Sequence, residues 1–247
     1  MKSCALVTGA SGGIGTAICK KLSSEGVAVL GVDVKEPSPG KRAADFLLAD
    51  LDRFAESEED AKSVVRGVVR WLAGRPLGLL VNNAAVQHLG AMDDLDRPAW
   101  RRTLNVNVLA PFFLVQALLP QLKSARGCVV NISSVHARAT KPRFVAYATS
   151  KSALSGLTRA LAVDLGRDVP VYGIEPGAVL TEMLREGLAG SPDALDKLAE
   201  CHPSGRISAP EQIAELVHFL FSSGMTGLQG SAIEFGGGIS GRLHDPE

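Results

Sequence analysis

The sequence has no excess of charge of either sign. Lysine plus arginine number 26, aspartate plus glutamate also number 26, and the formal net charge is zero. A chain without a basic excess carries no electrostatic footprint for nucleic acid or for an anionic membrane surface. Cysteine is scarce, and Cys4, Cys19, Cys128 and Cys201 stand far apart with no C-x-x-C pair. That spacing gives neither a zinc site nor a disulfide framework, so no metal is expected and a reducing, cytoplasmic setting is. No apolar run reads as long enough to span a bilayer. The opening MKSCALVTGA turns directly into a strand and a glycine loop, without the long apolar core of a signal peptide. Aromatic residues are few, and tyrosine occurs only twice. One of the two, Tyr147, stands four residues ahead of Lys151 in YATSK, a spacing that puts both side chains on one face of a helix.

Glycine and short apolar runs are plentiful. Strands are predicted at residues 3–8, 27–33, 44–49, 77–81, 127–132, 169–174 and 231–235. Helices are predicted at 14–24, 52–72, 98–123, 144–165 and 210–222. The alternation implies a three-layer, doubly wound, Rossmann-type α/β fold with a parallel sheet of about seven strands. Strands that are apolar throughout agree, because a parallel sheet is covered on both faces. There is no internal repeat and no linker able to divide the 247 residues, so one domain is expected. Two segments read as irregular: the polar loop KEPSPGKR at 35–42, and residues 181–206. The latter carries Gly187, Gly190, Pro192 and Pro203 and has the pattern of short helices in a mobile insertion over the substrate.

Between the first strand and first helix lies TGASGGIG, residues 8–15. Gly9, Gly13 and Gly15 permit a tight turn and close approach of backbone to ligand. The helix start offers N–H groups and a positive dipole end to a pyrophosphate. Ser11 and Ile14 belong to the same loop and join the candidate cofactor contacts. Asp33 ends the second strand, where a carboxylate accepts from both ribose hydroxyls of an adenosine and repels a 2′-phosphate. The cofactor expected is therefore NAD rather than NADP. Asp50, followed by Leu51, ends the third strand and could face the adenine amino group.

Six motifs in order and spacing resemble the short-chain dehydrogenase/reductase family over nearly the whole chain. They are TGASGGIG, NNAA at 82–85, Asn107 in LNVNVLAPF, Ser134 in NISS, YATSK, and EPGAVLT at 175–181. The family more often has NNAG, and a small or amide residue where Glu175 stands. The resemblance implies a single-domain oxidoreductase moving hydride between the dinucleotide and a secondary alcohol or ketone. It makes Tyr147 the general acid/base and has Lys151 hold the nicotinamide ribose. A nearby ammonium, together with an oxidised nicotinamide ring, would stabilise the phenolate and lower its pKa from the usual value of roughly 10 toward working pH. Ser134 would bond the substrate oxygen, leaving Ser133 to support the strand end. Asn107 would organise a proton-relay water. Pro111, four residues on, has no N–H to give the Asn107 carbonyl, so that carbonyl must bond elsewhere. Asn83 and Ala84, Pro176 and Gly177, Val179 and Thr181 complete the implied cofactor contacts. The family usually forms dimers or tetramers through its long helices, so a homotetramer or homodimer is expected.

Gln87, His136 and Phe144 are the candidate substrate contacts. The 3-hydroxybutyrate dehydrogenases of the family show a similar Gln-His pair, here Gln87-His88, and a similar histidine. They also use a lysine where this chain has Phe144. A small 3-hydroxy acid therefore stays open as an alternative to a medium-sized apolar ketone, facing Phe144, Met183, Leu184 and Leu188. A non-catalytic nucleotide-binding scaffold is the third reading. Arg138, Lys141 and Arg143 read as a solvated basic cluster. Cys201 and His202 lack partners at ligand spacing, and the glycine-rich tail from Gly236 reads as a subunit contact.

Overall fold

The computed structural model describes residues 3–37, 44–188 and 193–242. Part of the KEPSPGKR loop, Gly190 and Pro192 of the insertion, and the last five residues of the tail lie outside them. Seven strands form one sheet: β1 (Cys4–Thr8), β2 (Ala28–Asp33), β3 (Asp45–Leu48), β4 (Leu77–Asn82), β5 (Cys128–Ile132), β6 (Val171–Pro176) and β7 (Ala232–Phe235). Their order is β3-β2-β1-β4-β5-β6-β7, and every neighbouring pair is parallel. β1, β4, β5 and β6 are buried along their whole length, as their apolar sequences require.

Successive side chains point to opposite faces. Leu6, Leu80, Val129 and Val171 face a layer made by α3 (Glu58–Leu72), α5 (Ala110–Ala125) and α6 (Val145–Leu165), through Val68, Leu118 and Leu161 among others. Val7, Val81, Val130 and Ile174 face α1 (Gly13–Ser24) and α9 (Pro210–Ser223), through Ile18, Leu22 and Val217. The second tyrosine, Tyr172, belongs to this layer, and its hydroxyl donates to the Met225 carbonyl at 3.2 Å. The chain runs outward from β1 through β2 to β3, then returns to place β4 on the other side of β1. Ligands of doubly wound sheets bind at the carboxyl ends of the strands at such a reversal.

Three elements depart from the sequence expectation. The helix predicted over 52–72 is two, α2 (Leu51–Glu56) and α3, parted at Ser57. Ser57 takes an extended conformation and its hydroxyl accepts the Asp60 N–H at 3.3 Å. Glu58, Glu59 and Asp60 then sit in the first turn, where the helix dipole favours them. The helix predicted over 98–123 runs as α4 (Arg97–Leu104), a π turn at Asn105–Leu109, and α5. Ala110 N–H bonds the carbonyl of Asn105, five residues back, just before Pro111. A residue without an N–H breaks the regular ladder, and a wider turn absorbs the break. The continuous helix Arg97–Ala125 is thereby long and apolar enough to cross a membrane by length and composition, which corrects the expectation that no run reaches that length. Half of its apolar window is buried, with Leu114, Leu118 and Leu122 seated on the sheet, so it is a core helix. Finally, β6 ends two residues later than expected, which carries Glu175 and Pro176 into the strand.

Candidate functional site

The glycine loop is shaped by contacts that leave no room for side chains. Gly9 has φ +66°, and a Cβ there would come 2.7 Å from the Ala84 Cα. A Cβ on Gly15 would lie 2.0 Å from the Gly9 carbonyl oxygen, and one on Gly13 would lie 2.8 Å from the Thr181 Cγ2. No side chain caps α1 at Gly12, and its first turn has no acidic residue. A pyrophosphate fits such an uncapped helix start. Asp33 lies beside the loop: its Oδ2 accepts the Ser11 N–H at 3.0 Å and its Oδ1 the Val34 N–H at 2.7 Å. The Ser11 hydroxyl donates to the Lys35 carbonyl. Ile14 is half-buried against the α1–α9 layer.

Across the sheet reversal, Asn83 Nδ2 donates to the carbonyls of Thr8 and Gly9 at 2.9 and 3.1 Å. The Thr8 hydroxyl accepts the N–H groups of Asn83 and Ala84, both at 3.0 Å. These bonds lock the NNAA turn to the glycine loop. Asp50 and Leu51, the expected adenine contacts, also have structural tasks at the start of α2. Asp50 Oδ1 caps α2 through the Asp52 N–H at 2.9 Å, and the Leu51 side chain is buried beside Phe54. The Asp50 carboxylate is thus turned to its own backbone, because an aspartate ahead of a short helix meets the nearest unpaired N–H first.

The four residues singled out for chemistry converge on the carboxyl ends of β4 and β5. Tyr147 and Lys151 lie one turn apart on α6, with the ammonium 5.6 Å from the phenol ring centroid. Lys151 is 2 % exposed and donates to the Ile132 carbonyl at 2.8 Å. The Tyr147 hydroxyl lies near Ser134, close enough for that side chain to favour the phenolate. Asn107, fully buried in the π turn, accepts the Val86 N–H at 2.9 Å and donates to the Val86 carbonyl at 3.0 Å. It also donates to the Ser150 hydroxyl at 2.9 Å, which in turn donates to the Tyr147 carbonyl at 2.7 Å. Ser150 was not anticipated, although a serine three residues after a helical tyrosine commonly bonds back to its carbonyl. Ser133 supports the strand end as expected: its hydroxyl donates to the Lys151 carbonyl, and its N–H to that of Ile174.

Burial decides the protonation of this pair. It pushes the Tyr147 phenol up to about 12, against the lowering effect of the Ser134 hydrogen bond. It brings Lys151 down to about 7. Lys151 contributes no lowering of the phenol here; the expected lowering counts on an oxidised nicotinamide ring as well.

The candidate substrate wall is aromatic. The His136 ring stacks on Phe144 at 4.4 Å and 14°, and both meet Tyr147 edge-on, at 5.8 and 6.2 Å. Burial, with a contribution from Lys141, lowers His136 to about 4 and keeps it neutral. Gly90 N–H bonds the Arg143 carbonyl at 3.0 Å, which ties the segment carrying Gln87 to the one carrying Phe144. Arg143 adopts φ +71° there. His88 is turned away and meets the Thr103 hydroxyl at 3.0 Å. The basic cluster is not simply solvated. Arg138 pairs with the buried Glu175, Arg143 lies 3.5 Å from Asp94, and the Lys141 ammonium sits 4.7 Å over the Phe144 ring.

Residues 176–181 lead from the end of β6 to the glycine loop. Gly177 N–H bonds the Phe235 carbonyl, Val179 is buried and bridges to Ser208, and the Thr181 hydroxyl caps α7 (Glu182–Gly187). His202, just after α8 (Ala194–Cys201), accepts the Ala178 N–H at 3.4 Å and its other ring nitrogen meets the Leu198 carbonyl at 2.7 Å. Among the described residues no group of histidine, cysteine and carboxylates could hold a metal.

A family model described as short chain dehydrogenase matches residues 3–190. The chain belongs to the short-chain dehydrogenase family. It is 33% identical over 244 residues to Protein FixR of Bradyrhizobium diazoefficiens, covering 94% of this chain and 85% of that one. It is 35% identical over 248 residues to D-threitol dehydrogenase of Mycolicibacterium smegmatis, covering 96% and 92%. The ligand-free aldohexose dehydrogenase of Thermoplasma acidophilum superposes with a TM-score of 0.90 at 27% identity, covering 100% of this chain and 98% of that one. As a short-chain dehydrogenase the protein is an NAD(P)-dependent oxidoreductase acting on alcohol or ketone groups.

Proposed function

We propose that the enzyme exchanges hydride between NAD(H) and a neutral, hydroxyl-bearing secondary alcohol or its ketone, with Tyr147 as general acid/base. The observation that carries this reading is the convergence of Tyr147, Ser134 and the buried Lys151 at the carboxyl ends of β4 and β5. Gly9, Ser11, Gly13, Ile14 and Gly15 would hold the pyrophosphate end of the dinucleotide. Asp33 would take the adenosine ribose, Asp50 and Leu51 would meet the adenine, Asn83 and Ala84 would line its path, Pro176, Gly177 and Val179 would flank the nicotinamide end, and Thr181, beside Gly13, would lie near the phosphates. When bound, the dinucleotide supplies the hydride acceptor or donor. Tyr147 Oη exchanges a proton with the substrate oxygen, while Ser134 Oγ donates a hydrogen bond to that oxygen as charge develops. Lys151 would anchor the nicotinamide ribose and, in its ammonium form, would stabilise the phenolate. Pro111 denies the Asn107 carbonyl a partner four residues on, and we assign that carbonyl the relay water.

The preference for a neutral substrate comes from the wall. His136 is kept uncharged, Arg138 and Arg143 are paired, and both Lys141 and His136 pack on the Phe144 ring. The names of the threitol and aldohexose dehydrogenases support the same substrate class. We take the whole chain as one catalytic domain with residues 181–206 as its lid. We expect it to act in the cytoplasm as a homotetramer or homodimer. A panel of polyols, simple secondary alcohols and 3-hydroxybutyrate, each with NAD and NADP, tests the reading. Turnover of polyols with NAD is expected. Efficient turnover of 3-hydroxybutyrate that collapses in His136→Ala would move the assignment to a hydroxy-acid dehydrogenase.

A further inference from the structure

Glu175 is the one residue of the EPGAVLT motif that departs in charge from the family pattern, and it is 1 % exposed at the end of β6. A carboxylate in that position needs partners of its own, since an uncompensated buried charge is strongly destabilising. It has two. Its Oε2 accepts from the Nε of the half-exposed Arg138, and its Oε1 accepts from the Ser155 hydroxyl at 2.7 Å. Arg138 also donates through Nη2 to the Ala232 carbonyl of β7 at 2.9 Å. The guanidinium thus spans the ends of two strands.

Arg138 closes the short turn Val135–Ala137 that follows Ser134. Ser134 opens that turn, its hydroxyl accepting the His136 N–H at 3.2 Å, and Arg138 N–H ends it on the Val135 carbonyl at 2.9 Å. On the other side of Glu175, Ser155 lies 2.9 Å from Ser133, whose hydroxyl reaches the Lys151 carbonyl. One buried carboxylate therefore joins the turn bearing Ser134 and His136 to the helix bearing Tyr147 and Lys151.

We infer that Glu175 and Arg138 are positioning residues, which fix the turn carrying Ser134 and His136 against α6 so that the two hydroxyls of the site stay in register. The inference rests on the proposed role of Ser134. Misplacing a reacting group by about 1 Å can cost roughly a hundredfold in rate. Glu175→Gln keeps an acceptor for Ser155 and removes the charge, leaving Arg138 able to turn to water. It should fold with its melting temperature little changed and bind NADH as wild type does. Its kcat should fall at least about tenfold. Arg138→Ala strands the carboxylate and should lose both stability and kcat. In the double variant Arg138→Ala, Glu175→Gln, stability should return while kcat stays low.

Wild-type kcat in Glu175→Gln, or recovery of kcat together with stability in the double variant, would reduce the pair to a structural ion pair and overturn the inference. Ser134→Ala run in parallel separates the two claims. If it keeps wild-type turnover, the site assignment itself fails. If it loses turnover while Glu175→Gln does not, only the positioning role fails.

Discussion

Replacing Lys151 with methionine should change how stability depends on pH, in a direction set by burial. The ammonium belongs to a side chain 2 % exposed, and burial moves its pKa from 10.5 to about 7. Between those values the unfolded chain holds a proton that the folded one has lost, so stability rises with pH through this window. Above 10.5 both states are neutral and the penalty is gone, and below 7 both are charged and it is complete. Integrated over pH 7 to 9, the difference in unfolding free energy between Lys151→Met and wild type should shrink by roughly 2 kcal/mol. At an m-value of about 2 kcal/mol per molar urea, the two midpoints should converge by about 1 M. Urea titrations followed by the fluorescence of Trp71 and Trp100, at several pH values and one protein concentration, measure this. The lost hydrogen bond to Ile132 adds an offset that varies little with pH, because ammonium and amine both donate. His136, Cys19 and Cys128, whose pKa values burial also moves, contribute equally to both proteins. A stability difference that stays flat from pH 7 to 9 would refute the argument that desolvation governs this lysine.

Two further substitutions probe the scaffold. Gly15→Ala drives a methyl to within 2.0 Å of the Gly9 carbonyl. It should cost roughly 1–3 kcal/mol, or several degrees of melting temperature, and NADH titration should show weakened binding. Ser150→Ala removes the hydroxyl between Asn107 and the Tyr147 carbonyl and should cost about 1–2 kcal/mol in urea unfolding. Its kcat should fall while its KM for NAD holds.

The sheet was legible because every strand is a short apolar run, and the glycine loop because its spacing is tied to the turn it makes. Helix continuity was harder. Ser57 followed by Glu58, Glu59 and Asp60 is an N-terminal signal inside an otherwise helical pattern, and the apolar periodicity on both sides hid it. Pro111 announced a broken ladder but not that a π turn would absorb it. Tyr147, Lys151, Ser134 and Asn107 came together because each lies at a strand end or on a helix packed there. The sequence could not show where carboxylates turn. Asp50 caps its own helix, and Glu175, noticed only as an oddity, draws Arg138 out of a cluster read as solvated. Such pairings depend on distances across the sheet, which no local spacing records. The sign of the Tyr147 shift was hidden for the same reason, since helical spacing conveys proximity to Lys151 but not the burial of the phenol itself.

Oxidation of the best alcohol from the substrate panel, measured for wild type and Tyr147→Phe at matched NAD saturation, tests the central claim most directly. Loss of the phenol oxygen should lower kcat by about a hundredfold or more with NADH affinity unchanged. Equal turnover by the two proteins would contradict the acid/base role of Tyr147 and the mechanism built on it.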